Sequence, residues 1–231
     1  MKYRYFLILF IFVIISSMDS VQGQDIIECG NTITFTYAGE RVTYGTVRST
    51  DNRCWLDRNL GASRVATSST DEQAYGDLYQ WGRDTDGHQK RNSPTTRSIS
   101  RSYQPEHGSV ITASSDWLNP RNNSLWQGVN GINNPCPDGF RLPTAAEWEA
   151  EKHSWDSNNI PMAFNSPLKL PAAGYSSRRN IGSLSDVGSG GGFWSSSVRG
   201  EYARHLLFSS HNANMSNGYR ERRYSVRCIK D

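Results

Sequence analysis

The sequence predicts an exported domain of short strands and few helices, with a small aromatic core under long polar loops. Three observations carry this. An apolar leader opens the chain. Stretches of period-two alternation end in glycine turns. A modest 36% apolar share is made up by 7 Trp, 11 Tyr and 8 Phe, each of which buries a large area. The roughly two hundred residues after the leader are enough for one large domain or one domain with insertions.

The leader comes first. Lys2 and Arg4 precede an unbroken apolar run from Phe6 to Ile15, and a polar stretch then ends at Val21 and Gly23. This is the pattern of a secretory signal peptide over residues 1–23, cleaved after Gly23. The run falls well short of the ~20 apolar residues of a spanning helix. No later stretch is long enough either, so no stable membrane span is expected after cleavage. Cys29 follows Glu28, a context unlike a lipoprotein cleavage site. Removing residues 1–23 takes away Lys2, Arg4 and Asp19 and moves the formal charge from +3 to +2. Such a near-neutral exported chain is not expected to bind nucleic acid. Its expected location is secreted or cell-surface. The four cysteines, Cys29, Cys54, Cys136 and Cys228, form an even set in an exported chain and predict two disulfides, with three pairings open.

Residues 32–49 alternate. Ile33, Phe35 and Tyr37 share a face, Ala38-Gly39-Glu40 turns, and Val42, Tyr44 and Thr46 return, which predicts a hairpin. "CWLDRNLGAS" continues extended to a glycine turn. In "TDEQAYGDLYQWG", Thr70 and Gln73 have capping-box spacing, and Ala74, Leu78 and Trp81 share a helical face, which predicts a short helix despite Gly76. Residues 83–116 are rich in Arg, Ser, Thr, Asp, Gly and Pro and read as a long surface insertion. Trp117, Leu118, Leu125 and Trp126 restore apolar order, followed by Asn-Gly and Asn-Pro turns.

"CPDGFRLPTAAEWEA" is the densest stretch. Pro137-Asp138-Gly139 turns, Phe140 and Leu142 extend, and Pro143 ends the extension. Thr144 is an N-cap closed by Glu147 three residues on, and Trp148 is the residue that buries the helix. From Phe164 onward four short extended segments are expected: "LKLPAAGY", "GGFWSSSV", "EYARHLLFS" and "YSVRCIKD". The last puts Tyr224, Val226 and Cys228 on one face and Ser225, Arg227 and Ile229 on the other.

"CPDGFRLPTAAEWEA", "GGFWSSS" with Trp194 and "YSVRCIKD", preceded by "CWLDRNLGAS" and "AYGDLYQWGR", resemble the Fibrobacter succinogenes major paralogous domain. The "RLPT-x-x-EWE" and C-terminal Arg-Cys elements are similar to the formylglycine-generating-enzyme and sulfatase-modifying superfamily. The resemblance implies an α+β, C-type-lectin-like domain of short twisted antiparallel strands, few helices and long loops. It spans residues 42–231, after an N-terminal strand extension at 24–41, with the 83–116 insertion least covered. It also implies that the helix at Thr144 packs against the last strand, with Cys136 bridged to Cys228 and Cys29 to Cys54.

The formylglycine enzymes use two copper-binding cysteines after a Gly-Gly-Ser-Trp-like element. Here the matching stretch holds Ser195, Ser196, Ser197, Tyr202 and Ala203 and no Cys. Hydroxyls do not replace thiolates on copper(I), so this oxidase chemistry is not expected. His88, His107, His153, His205 and His211 lack metal-ligand spacing and read as surface or loop histidines. "DTDG" at 84–87 begins like a calcium loop, but Thr95 stands where the closing acid belongs, and a turn is expected. Glu147 and Glu151 share a helix face and read as solvated charge. No Glu-Pro-Asn or Trp-Asn-Asp calcium motif of lectins is present. No cofactor and no metal is expected.

Binding is the remaining expectation: non-enzymatic recognition of a glycan or a protein at the cell surface. In C-type-lectin-like folds the ligand face is built before the last strand, here residues 198–222. The candidate contacts are Arg199, Glu201, Tyr202, Arg204, His211, Asn212, Asn214 and Arg220. Exposed Tyr, Arg and Asn suit contact surfaces. "RERR" at 220–223 and "SSRRN" at 176–180 extend this toward an acidic glycan. The alternatives are a superfamily enzyme that has lost or changed its site, and a structural surface-layer or fibre component.

Overall fold

The computed structural model describes residues 28–231 apart from Glu106, Ser114, Arg178 and Arg179. The leader and the arginines of "SSRRN" therefore lie outside the described residues. The fold is α+β. In chain order it runs β1 (Thr32–Tyr37), β2 (Glu40–Arg48), β3 (Cys54–Leu56), β4 (Tyr79–Gln80), β5 (Thr95–Thr96), β6 (Val110–Ile111), β7 (Phe140–Arg141), α1 (Ala145–His153) and α2 (Ile160–Asn165). It continues with β8 (Tyr175–Ser176), β9 (Leu184–Ser185), β10 (Gly190–Arg199), β11 (Tyr202–Ser209), β12 (Ala213–Tyr219), β13 (Arg223–Tyr224) and β14 (Ile229–Lys230).

Two sheets organise the domain. A five-stranded sheet has the order β1-β2-β3-β14-β7, and a three-stranded antiparallel sheet has the order β10-β11-β12. The hairpin forms as expected. Tyr37 pairs with Glu40 across Ala38 and Gly39, whose φ angles of 50° and 84° make the tight turn that matches strand twist. β14 lies between β3 and β7, pairing Ile229 with both Trp55 and Arg141.

Two of the core clusters lie on either side of the three-stranded sheet, and a smaller one holds Ile111, Trp117, Leu118 and Leu125. Trp194 and Ala203 pack with Tyr79, Trp81, Trp126, Tyr224, Val226 and Cys228. Phe193, Leu206 and Phe208 pack with Trp55, Trp148, Trp155 and Ile229. The "GG" before Phe193 has a packing reason. A Cβ on Gly191 would run into the Phe208 ring, and one on Gly192 into the Tyr224 ring. Both faces expected for the C-terminal segment are buried, but it is two short strands, β13 and β14, rather than one.

The helix start at Thr144 is as the sequence predicts. Thr144 Oγ1 accepts from the Glu147 N–H at 3.2 Å, and Glu147 Oε2 accepts from the Thr144 N–H at 2.7 Å. Such a cap is worth about 1 kcal/mol. α1 packs on β10, β11 and β12, so the partner of the helix is the three-stranded sheet. It also reaches the last strand, where Trp148 and Ile229 share a cluster. Both disulfides have the implied pairing, Cys29–Cys54 and Cys136–Cys228. Closing the 92-residue separation of the second contributes about 4–5 kcal/mol on the chain-entropy view. No helix among the described residues is long and apolar enough to cross a membrane.

Several expectations are corrected. The helix expected from Thr70 to Trp81 is a single 3₁₀ turn, Glu72–Ala74, capped by Asp71. Gly76, at φ 65°, turns the chain out of the helix, and a Cβ there would strike the Leu60 carbonyl. Residues 79 and 80 then pair with β13. The 83–116 insertion is not purely a surface loop, because Arg83, His88, Gln89, Val110 and Ile111 are buried. α2 and β12 were not foreseen. α2 is a six-residue helix capped by Asn159. β12 buries only Ala213 and Gly218, which leaves no alternation to read.

Candidate functional site

The site region begins with a break in β10. Trp194 pairs with His205 and Val198 with Ala203, so Ser195–Ser197 bulge off the ladder. Their backbone groups find other partners. The Trp194 carbonyl accepts from the Trp148 indole at 3.0 Å, Ser195 from the Trp81 indole at 2.9 Å and Ser196 from the Gln127 amide at 2.6 Å. Ser195 Oγ donates to the Arg204 carbonyl, the Ser196 N–H to Pro143, and Ser197 Oγ accepts from the Ala145 N–H. The serine run thus joins β10 to the start of α1. All four cysteines are in disulfides.

Beyond the bulge, β10 and β11 turn at Gly200. Arg199 pairs with Tyr202, Tyr202 with Tyr219, and Arg204 with Asn217. Period two puts Arg199, Tyr202 and Arg204 on one side of the sheet with Tyr219 and Asn217. Further along that side, Leu206 and Phe208 lie in the cluster that holds Trp148 of α1. Nearer the turn the residues are open: Arg199 and Asn217 are exposed, and Tyr202, Arg204 and Tyr219 are half-buried. The two tyrosine rings lie 4.9 Å apart at 33°, with their hydroxyls at 3.5 Å. Hydrogen bonding to Tyr219, with Glu201 beside it, pushes the Tyr202 phenol up to about 12. Arg204 has a desolvated Nε with no acceptor among the described residues.

Four predicted contacts therefore gather at one end: Arg199, Glu201, Tyr202 and Arg204. His211, Asn212 and Asn214 do not join them. They sit at the β11–β12 turn, where Ser209 Oγ accepts from the N–H groups of His211 and Asn212. β11 separates the two ends by about 25 Å at the usual rise of a strand. Arg220 is corrected from contact to support. It is 1% exposed and stacks on Trp81 at 4.6 Å. It donates to the Asn122 and Gly200 carbonyls and to Asn123 Oδ1. Burial pulls its pKa down to about 10, against the opposing pull of Asp116. In "RERR", Arg220 and Arg223 are both buried, so that run is not a basic surface patch. Tyr219 and Asn217 were missing from the predicted set. Their signal is cross-strand register, which needs β12.

The other candidates have structural partners. His88 and His205 are buried, against the surface reading. His88 Nε2 accepts from the Gln80 N–H and Nδ1 lies 2.6 Å from Asp86. Burial, with Arg83 nearby, pushes its pKa down to about 4 despite Asp86, so the ring is neutral at pH 7. Asp86 of "DTDG" is bound by Arg83 at 2.6 Å. Glu147 and Glu151 are buried rather than solvated. Burial pushes the Glu147 carboxyl up, but the Arg141 guanidinium and the Thr144 N–H hold it below the ordinary carboxylate value. Glu151, raised by burial, accepts from the Trp155 indole at 3.1 Å. No group of three or more possible metal-ligating His, Cys, Asp or Glu side chains occurs among the described residues.

Residues 154–229 match a family described as a domain of unknown function, DUF8237. That stretch contains α2 and the whole three-stranded sheet. No curated protein and no solved structure matches the chain.

Proposed function

We propose that this is a secreted or surface-displayed recognition domain of C-type-lectin-like fold that takes a glycan on the open end of its three-stranded sheet. The single observation that carries this is the half-exposed Tyr202–Tyr219 pair, with Arg199 and Arg204 beside it on the same face. Tyrosine offers an apolar ring for the C–H face of a sugar and a hydroxyl for its polar edge, at low cost in side-chain entropy. Guanidinium forks bind hydroxyl and carboxylate oxygens. Arg220 supports the platform from beneath by holding the Gly200 carbonyl of the β10–β11 turn. The two disulfides suit an oxidising compartment.

A glycan array with residues 24–231 tests it, beside a variant carrying Tyr202→Ala and Tyr219→Ala. Binding by the parent, weakened at least tenfold in a variant that still melts cooperatively, is the expected result. A parent protein that binds no glycan, or a variant that binds as well as the parent, overturns it.

A further inference from the structure

At the far edge of the five-stranded sheet, β1 is paired on one side only among the described residues. Which groups face outward follows from register. The Thr46 N–H donates to the Asn31 carbonyl, so odd-numbered residues of this strand bond inward to β2. By the alternation of an antiparallel ladder, the N–H and C=O groups of Thr32, Thr34 and Thr36 point away from β2. Among the described residues nothing pairs with them.

Natural edges of this kind are usually blunted by lysine, proline, a bulge or shortness. β1 has none of these protections. "TITFTY" is six residues long, uncharged, unbroken in register and made of strong strand formers. Beside it runs a groove of ≈ 480 Å³, lined by Ile33 to Thr36 on one side and Cys136 to Asp138 on the other.

We infer that β1 is a self-association edge, pairing antiparallel with β1 of a second copy of this chain. The strand is its own complement. With Thr34 opposite the second copy's Thr34, Thr32 meets Thr36 and Ile33 meets Phe35. Six main-chain hydrogen bonds form. No charge meets a like charge anywhere along the pair, and the groove receives the second copy's apolar side chains. The inference is independent of the glycan reading, since β1 belongs to the other sheet.

Sedimentation of the full mature chain across a concentration series tests it, with Thr34→Pro as the first variant. The Thr34 N–H points outward, so proline there removes a contact to the second copy and leaves the ladder to β2 intact. Thr34→Lys is the second variant and needs no change in backbone. The expected result is a parent species of twice the monomer mass that shifts to monomer in both variants, each melting as cooperatively as the parent. A parent that stays monomeric at every concentration overturns the inference. So does a dimer that survives Thr34→Lys, whatever Thr34→Pro does to folding.

Discussion

Two sets of arginines in this domain behave oppositely. Arg83, Arg220, Arg223 and Arg227 are at most 1% exposed. Each donates into backbone carbonyls of segments far away in sequence. Arg227 reaches Leu56 and Leu168 and holds Asn59 Oδ1 with two nitrogens. Arg223 reaches Lys90 and Gly182, and Arg83 reaches His107 and Ser109. Among the described residues the side chains of Arg199, Arg204 and Arg222 make no hydrogen bond or ion pair, and Nε of the latter two is desolvated without an acceptor. A loop-rich fold leaves many carbonyls outside ladders, and each must find a donor. A guanidinium with five N–H groups in a fixed fork serves several at once. The first group is therefore scaffold, and the second ties no distant segments together.

The difference is measurable. Arg227→Met leaves three buried acceptors without their donor, and a loss of about 3–5 kcal/mol is expected in denaturant melts. A loss below 1 kcal/mol would make Arg227 no more structural than the open group.

The second test uses His88, which lies among the buried cations. Its folded pKa, about 4, is below the ordinary 6.5, so the unfolded chain gains a proton that the folded one refuses. Its contribution is complete above pH 6.5 and is lost as pH falls toward 4, by about 2 kcal/mol at pH 5. Melts at pH 7 and pH 5 should show this drop, and His88→Gln should remove it. An equal drop in His88→Gln refutes the assignment.

Arg141 is intermediate. It grips Glu147 through two nitrogens at 2.8 and 2.9 Å. Glu147 also keeps Arg53 and the Thr144 N–H. Arg141→Ala is therefore expected to cost about 1–2 kcal/mol, less than a removal that strands its partners. The smallest effect belongs to Arg199→Ala, which should change stability by under about 0.5 kcal/mol and change glycan binding instead. A large fall in its melting temperature would move Arg199 into the scaffold.

The same contrast explains what could be read in the chain. The Thr144–Glu147 box and the turn at Ala38-Gly39 are local, written in residues three or fewer apart, and both were legible. Spacing at 70–81 points to a helix, but Gly76 breaks it and Trp81 is claimed by Ser195, 114 residues away. Arg199 and Arg220 looked alike, since nothing local marks which of two arginines has Trp81 beneath it. The platform was half legible: the β11 residues stood in an apolar alternation, whereas Tyr219 and Asn217 lie on β12, which has no such pattern.

The position of β14 has a consequence for timing. Strand pairing on both of its sides, to β3 and to β7, waits for residues 229 and 230. As a chain is delivered from its N-terminal side, the β1–β2 hairpin and the 25-residue Cys29–Cys54 closure are available early. The native bond of Cys136 waits for Cys228, 92 residues further on. Until then the five-stranded sheet is split, with β7 and the strands β1 to β3 unjoined. Closure by such distant contacts is slow. The five-stranded sheet is therefore joined only when the last strand arrives.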